Sequence, residues 1–179
     1  MPASPEILQT LVDILRTEMD LAADQVVIYN QRWIIPNDKR LYVSLNVMGG
    51  RPYANNRRFA SGFVANPAGG PALAVLNEER QVSSADLISL HVQSYGDQAR
   101  VRRNEVMFAL NSTYAEQQME RYGFHVGPLP SSFADASEGL GTAIITKYAL
   151  TFSVLYGEAQ VNVIDWYDQF PIGKLAIQP

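Results

Sequence analysis

Alternation is the tightest constraint on what this chain can fold into. Ile144, Tyr148, Leu150, Phe152, Val154 and Tyr156 share one parity, and Lys147, Thr151 and Ser153 take the other. A period of two marks a half-buried strand. The pattern returns at Leu41–Met48, where Leu41, Val43, Leu45 and Val47 alternate with Tyr42, Ser44 and Asn46. It returns again within Val82–Tyr95, where Ile88, Leu90 and Val92 alternate with Ser89, His91 and Gln93. Gln25–Tyr29 and Phe124–Val126 read as shorter strands. Sheets with one apolar face need a second layer to cover it.

Two helical patterns can supply that layer. Ser4-Pro5-Glu6 reads as a helix start: a capping hydroxyl, a proline at the first helical position and an acid at the positive end of the dipole. Ile7, Leu8, Leu11, Ile14 and Leu15 follow at helical spacing, to about Asp20. A second, longer helix is expected from about Gln98 to Tyr122, with Val106, Leu110 and Tyr114 in its apolar stripe and Gly123 as its stop. Ser131–Leu140 reads as a polar loop, and Gly157-Glu158-Ala159 as a turn into a hairpin partner, Gln160–Ile164. The expected fold is α+β: a mostly antiparallel sheet packed against two α-helices. A chain of 179 residues matches one domain, spanning 1–179.

Between the strand patterns lies a stretch of unusual composition. Lys39 to Asn77 holds no acidic residue and five basic ones, Lys39, Arg40, Arg51, Arg57 and Arg58. It is rich in Gly, Pro and Asn after Met48. Connections beyond about 12–15 residues are usually functional when they lack regular structure. An extended arm over about 49–76 is expected, built to dock onto something. The net charge of −4 is uneven: residues 1–103 carry 11 basic and 10 acidic side chains, and residues 104–179 carry 3 and 8. Opposite patches of this kind steer subunits together.

The residues offer little for catalysis. With no cysteine, disulfides and thiolate metal sites are out of reach. The two histidines, His91 and His125, form no His-x-x-His or His-Glu-x-x-His pattern, whereas a zinc site needs three or four clustered ligands. A Ser–His–Asp triad draws on distant positions, but no Gly-x-Ser-x-Gly elbow is present. Gly139-Leu-Gly141-Thr142 lacks the Gly-Lys-Ser/Thr ending of a phosphate loop. Glu158, Asp165 and Asp168 could offer oxygen ligands but lack the calcium-loop pattern. Arg100, Arg102 and Arg103 fall in the first turns of the expected long helix, where positive charge opposes the dipole. An acidic neighbour or a phosphate backbone would compensate them. Tyr53, Arg57, Arg58 and Phe59 could stack on bases and grip phosphates, yet the chain is acidic and lacks a helix-turn-helix or zinc-finger signature. No enzyme activity, cofactor or metal is expected. No apolar run approaches the roughly 20 residues of a membrane span, and no secretory signal is visible, so assembly in a cytoplasm without a membrane partner is expected.

Several stretches together resemble the neck or tail terminator proteins of tailed bacteriophages. Val26–Asn30 followed by Arg40–Val47 is similar to the opening of that family. Ala85–Gly96 resembles the strand before its long helix, Tyr122-Gly-Phe124 the turn after that helix, and Tyr148–Tyr156 its late strand, with Val161–Ile164 closing. Gly141–Lys147 departs from the family in carrying few charges, and the arm over 51–74 is longer. The resemblance implies a virion structural protein in the neck, at the top of the tail. Such subunits form a ring, usually six-fold, that caps the tail tube, stops its growth and joins it to the head, with genomic DNA passing through. The implied partners are further copies of the chain, the head connector or adaptor proteins, and the tail tube and sheath. Under this reading Arg51, Tyr53, Arg57, Arg58 and Phe59 on the arm, and Trp166, Tyr167 and Phe170 on the tail of about 166–179, contact neighbouring subunits. Glu116 and Glu120 are candidate acidic residues of the channel, since an acidic lining lets DNA slide where a basic one would bind it. The alternatives are another tail-completion or tube-associated protein, a small enzyme, or a nucleic-acid-binding protein.

Overall fold

The computed structural model describes residues 5–29, 33–64, 73–140 and 143–164. Its elements run α1 (Pro5–Glu18), β1 (Val26–Ile28), β2 (Tyr42–Val64), β3 (Leu73–Ser94), α2 (Gln98–Arg102), α3 (Glu105–Leu110), α4 (Thr113–Arg121), β4 (Phe124–Val126), β5 (Ala134–Asp135), β6 (Glu138–Leu140) and β7 (Ala143–Ile164). The class is α+β. The strands run in the order β1-β2-β3-β7-β4, with β5 and β6 paired to β7. β4, β5 and β6 all pair antiparallel to β7. β1 instead pairs parallel to β2, with Val26 opposite Val43 and Ile28 opposite Leu45. A parallel pairing needs a return connection of about a dozen residues or more, and residues 29–41 provide it.

Two compact units divide the chain: residues 1–53 with 83–157, and residues 54–82 with 158–179. The sequence predicts one domain with an extended arm over 49–76. The unit boundaries fall inside β2, β3 and β7.

The first unit holds the core. On α1, Leu11, Ile14 and Leu15 are fully buried, and the helix packs against β1, α3 and α4. Val43, Leu45, Ile88, Leu90, Val92, Leu150, Phe152 and Val154 complete the core from the sheet side. The apolar residues expected on one face of β2 and β3 do lie in the core, but the other face is not solvated as expected: Tyr42, Ser44, Ser89 and Gln93 are buried as well. On β7 the expected parity holds from Tyr148 onward, but Ile144 is exposed and Ile145 is buried. α1 ends in a left-handed residue, Asp20 (φ 51°), and the Leu21 N–H donates to the Arg16 carbonyl at 2.9 Å. This is the bond pattern of a Schellman cap, formed here without glycine.

Four expectations change. The helix expected over 98–122 is three short ones. Asn111–Ser112 interrupt it, because short polar side chains compete for the backbone, and a second break falls at Arg103–Asn104, where no side chain caps the next helix. The Asn111 amide donates to the Met107 carbonyl at 2.9 Å, and Ser112 Oγ accepts from the Ala115 N–H at 3.0 Å as a new N-cap. Among the described residues four helices stand where two were expected. The turn at Gly157-Glu158-Ala159 is absent, and β7 runs straight through it, since a lone glycine without a left-handed pair does not reverse a strand. Ser131–Leu140 contains the short strands β5 and β6. Finally, β2 does not stop at Met48 but continues to Val64. Beyond Leu45 its register with β1 has ended, so Pro52, which lacks an N–H, interrupts no bond on that side.

Candidate assembly interface

Among the described residues, β2 carries the longest run of exposed residues within a strand. Every residue from Met48 to Ala60 is exposed, on both parities. A strand normally hides one face. Here the exposed side chains include Met48, Tyr53 and Phe59, at 62%, 58% and 49%.

In the first unit, Arg51 and Met48 line a cavity of about 360 Å³ with Gly49, Gly50, Ala85, Asp86, Leu87 and Ser153. Asp86 is fully buried and accepts from the Tyr156 hydroxyl at 3.3 Å. In the second unit, Arg57 and Phe59 come together, the guanidinium 4.7 Å from the ring centre. Residues two apart on a strand share a face, so this contact follows from their spacing. Arg57 also forms an ion pair with Glu78, which binds Arg80 at 2.9 Å through its other oxygen. Glu78 is buried, its side chain 4% exposed. Arg80 chiefly, with help from Arg57, holds its carboxyl below the usual range against the upward push of desolvation. Arg58 is exposed and has no ion pair among the described residues.

The acid-free run is therefore less basic in space than in sequence. Arg40 is likewise neutralised, bonded at 2.9 Å to both Asp38 and Asp24. Those bonds raise its already high value, the one to Asp38 first. Asp38 is held low: desolvation pushes it up, but the bonds from Arg40 and Tyr42 prevail.

Two of the three arginines of the expected long helix, Arg102 and Arg103, are engaged within the chain, and Arg100 has no ion pair among the described residues. Because α2 ends at Arg102, all three stand at the negative end of a short helix and not at a positive start. Arg102 bonds Glu105 and donates to the Met19 carbonyl past the end of α1 at 2.6 Å. Arg103 lies over the Tyr148 ring at 4.5 Å.

Glu116 and Glu120 are exposed on α4 and line a groove of about 280 Å³ with Leu110, Asn111, Met119, Phe124, His125 and Val126. A spacing of four residues puts both carboxylates on one helix face. The floor is apolar and the rim is acidic. A histidine beside two carboxylates meets the first condition for acid–base chemistry. However, the lining holds no Ser, Thr, Cys or Lys side chain, and its volume falls below the roughly 300–1,000 Å³ of small-molecule sites. His91 accepts or donates to Ser89 Oγ at 3.2 Å, but Ser89 is buried. Desolvation first, then Lys147, lower the pKa of His91, and Glu138 opposes them. Among the described residues no group of three or more His, Asp and Glu could hold a metal ion. Among the same residues no helix is long and apolar enough to cross a membrane.

Trp166, Tyr167 and Phe170 lie outside the described residues. The residue that composition did not reveal is Glu78, one position beyond the acid-free run. Its one local signal is the Glu78–Arg80 spacing, which puts opposite charges on one strand face. The sequence matches no protein-family model, and no curated protein matches it closely enough to count as a relative.

Proposed function

We propose that the chain is a structural protein of a tailed-bacteriophage neck. Copies of it form a ring, six-fold by the resemblance noted above, that caps the tail tube, ends its growth and joins it to the head connector. DNA passes through the ring, and the role needs neither turnover nor a cofactor. The observation that carries this reading is the exposed strand over Met48–Ala60. Two-stranded ribbons with both faces in water are marginal alone, so a strand of this kind gains its stability from a partner surface. The charge asymmetry between the halves of the chain supports a heterologous contact, in which one patch meets a different patch on the next copy.

Electron microscopy of particles made without the gene tests the proposal. Overlong or unjoined tails beside filled heads are expected. Normal joined particles would overturn it. At the residue level, Arg58→Glu is a cleaner probe than the Arg57→Glu, Arg58→Glu pair, because Arg57 also serves Glu78 within its own unit. Arg58→Glu is expected to lower particle assembly while leaving the purified chain folded, as read by circular dichroism.

A further inference from the structure

We infer that the groove between α4 and β4 receives the Arg57–Phe59 stretch of β2 from a second copy of the chain. This rests on the ring reading and names the two patches that meet. The first argument is chemical complementarity. The groove pairs a floor of Leu110, Met119, Phe124 and Val126 with a rim of Glu116, Glu120 and His125. The strand offers an exposed ring, Phe59, with a guanidinium over it, and Arg58 on the opposite parity. Aromatic anchors filling a small apolar pocket, with charges at the edge, are the usual centre of a protein interface.

The second argument is charge. Around Glu78 there are two guanidiniums, Arg57 and Arg80, for one carboxylate, so the cluster keeps a formal excess of one positive charge. Arg57 engages Glu78 through Nε, and a guanidinium carries five donors in all. Among the described residues neither Glu116 nor Glu120 has an ion pair. The third argument is spacing. Two positions on a strand advance about 6.6–6.8 Å, and four on a helix advance about 6 Å. The interval from Arg57 to Phe59 thus matches the run of the groove from Glu116 to Glu120, so the guanidinium can meet one rim carboxylate while the ring rests on the floor beside it. A groove of about 280 Å³ suits one side chain better than a metabolite. The contact is head-to-tail, which closes into a ring when the rotation per subunit allows.

The absence of cysteine makes a clean test. Ala60→Cys and Gln117→Cys, which leave Phe59 and both carboxylates in place, are made in separate chains, mixed and joined with a short bismaleimide; both positions are exposed. A mixed adduct is expected to form on the order of ten times faster than with the control pair Ala60→Cys and Ser132→Cys. Adding Phe59→Ala to the first chain, or Glu116→Arg to the second, is expected to slow it several-fold, with circular dichroism confirming that each variant folds. Adduct no faster than the control, or Ala60→Cys homodimers alone, would overturn the pairing. The outcome is independent of the neck reading. A mixed adduct with normal deletion particles would keep the contact and discard the neck role. Overlong tails without the adduct would do the reverse.

Discussion

Asp20 occupies a left-handed conformation that L residues enter at a cost of about 1–2 kcal/mol. Asp20→Gly is expected to raise stability by about 1 kcal/mol, seen as a higher urea midpoint at unchanged slope. Gly127 shows the opposite case. A Cβ there would stand 2.3 Å from Ser153 Oγ and 3.3 Å from the Ser153 carbonyl, to which the Gly127 N–H donates at 2.8 Å. Gly127→Ala should destabilise by about 1–3 kcal/mol, and Ser153→Ala in the same chain should restore part of the loss. His91 brings a pH dependence. Its folded-state pKa lies below the ordinary 6.5, so the unfolded chain binds the extra proton as pH falls through that range. Stability is full above 6.5 and declines toward the lower folded value. His91→Gln should flatten that decline in denaturation curves measured between neutral and mildly acidic pH. None of these three environments was legible in the sequence, because each depends on neighbours far along the chain or on a single dihedral. The stop near Asp20 was legible, since the apolar spacing ends there.

The elements were read well where one face is apolar and poorly where polar residues decide continuity. Parity alone located the start of β2, the end of β3 and the middle of β7, and spacing alone located α1. The break between α3 and α4 turned on Asn111 and Ser112, whose side chains compete with the helix backbone, whereas the break between α2 and α3 has no such side-chain bond. Ser112→Ala should cost about 1 kcal/mol, the usual value for a lost N-cap, and lower helicity by circular dichroism. The glycines and prolines that suggested an arm without regular structure did not stop β2, because its exposed side needs no ladder partner. In the second unit the ion pairs of Glu78 are the corresponding support. Glu78→Gln leaves Arg57 and Arg80 without their carboxylate, and should speed amide exchange over residues 54–82 several-fold while the exchange of α1 stays unchanged. The Glu78 carboxylate has a lowered pKa. Its contribution is therefore present above the ordinary 4.5 and lost as pH falls through the folded value.

The α+β class was legible for the molecule as a whole, and its division into two units was not. Composition gave no break at residues 53, 82 or 157, because the divisions fall inside strands. The candidate interface was half legible. Its aromatic and basic residues stood out, but the pairing of Arg57 with Glu78 joins two strands and leaves no trace in local spacing. The exposure of Met48–Ala60 then predicts a difference between the free and assembled chain: amide exchange there should be fast alone and slow once copies associate. The sheet order has a further consequence, for synthesis. β7 lies between β3 and β4, yet it is made last of the three, and roughly 125 residues separate the end of α1 from its start. At about 5–20 residues per second on the ribosome, the core to which α1 and β7 both contribute stays incomplete for on the order of ten seconds after α1 is made. The first unit can therefore close its core only after β7 has emerged.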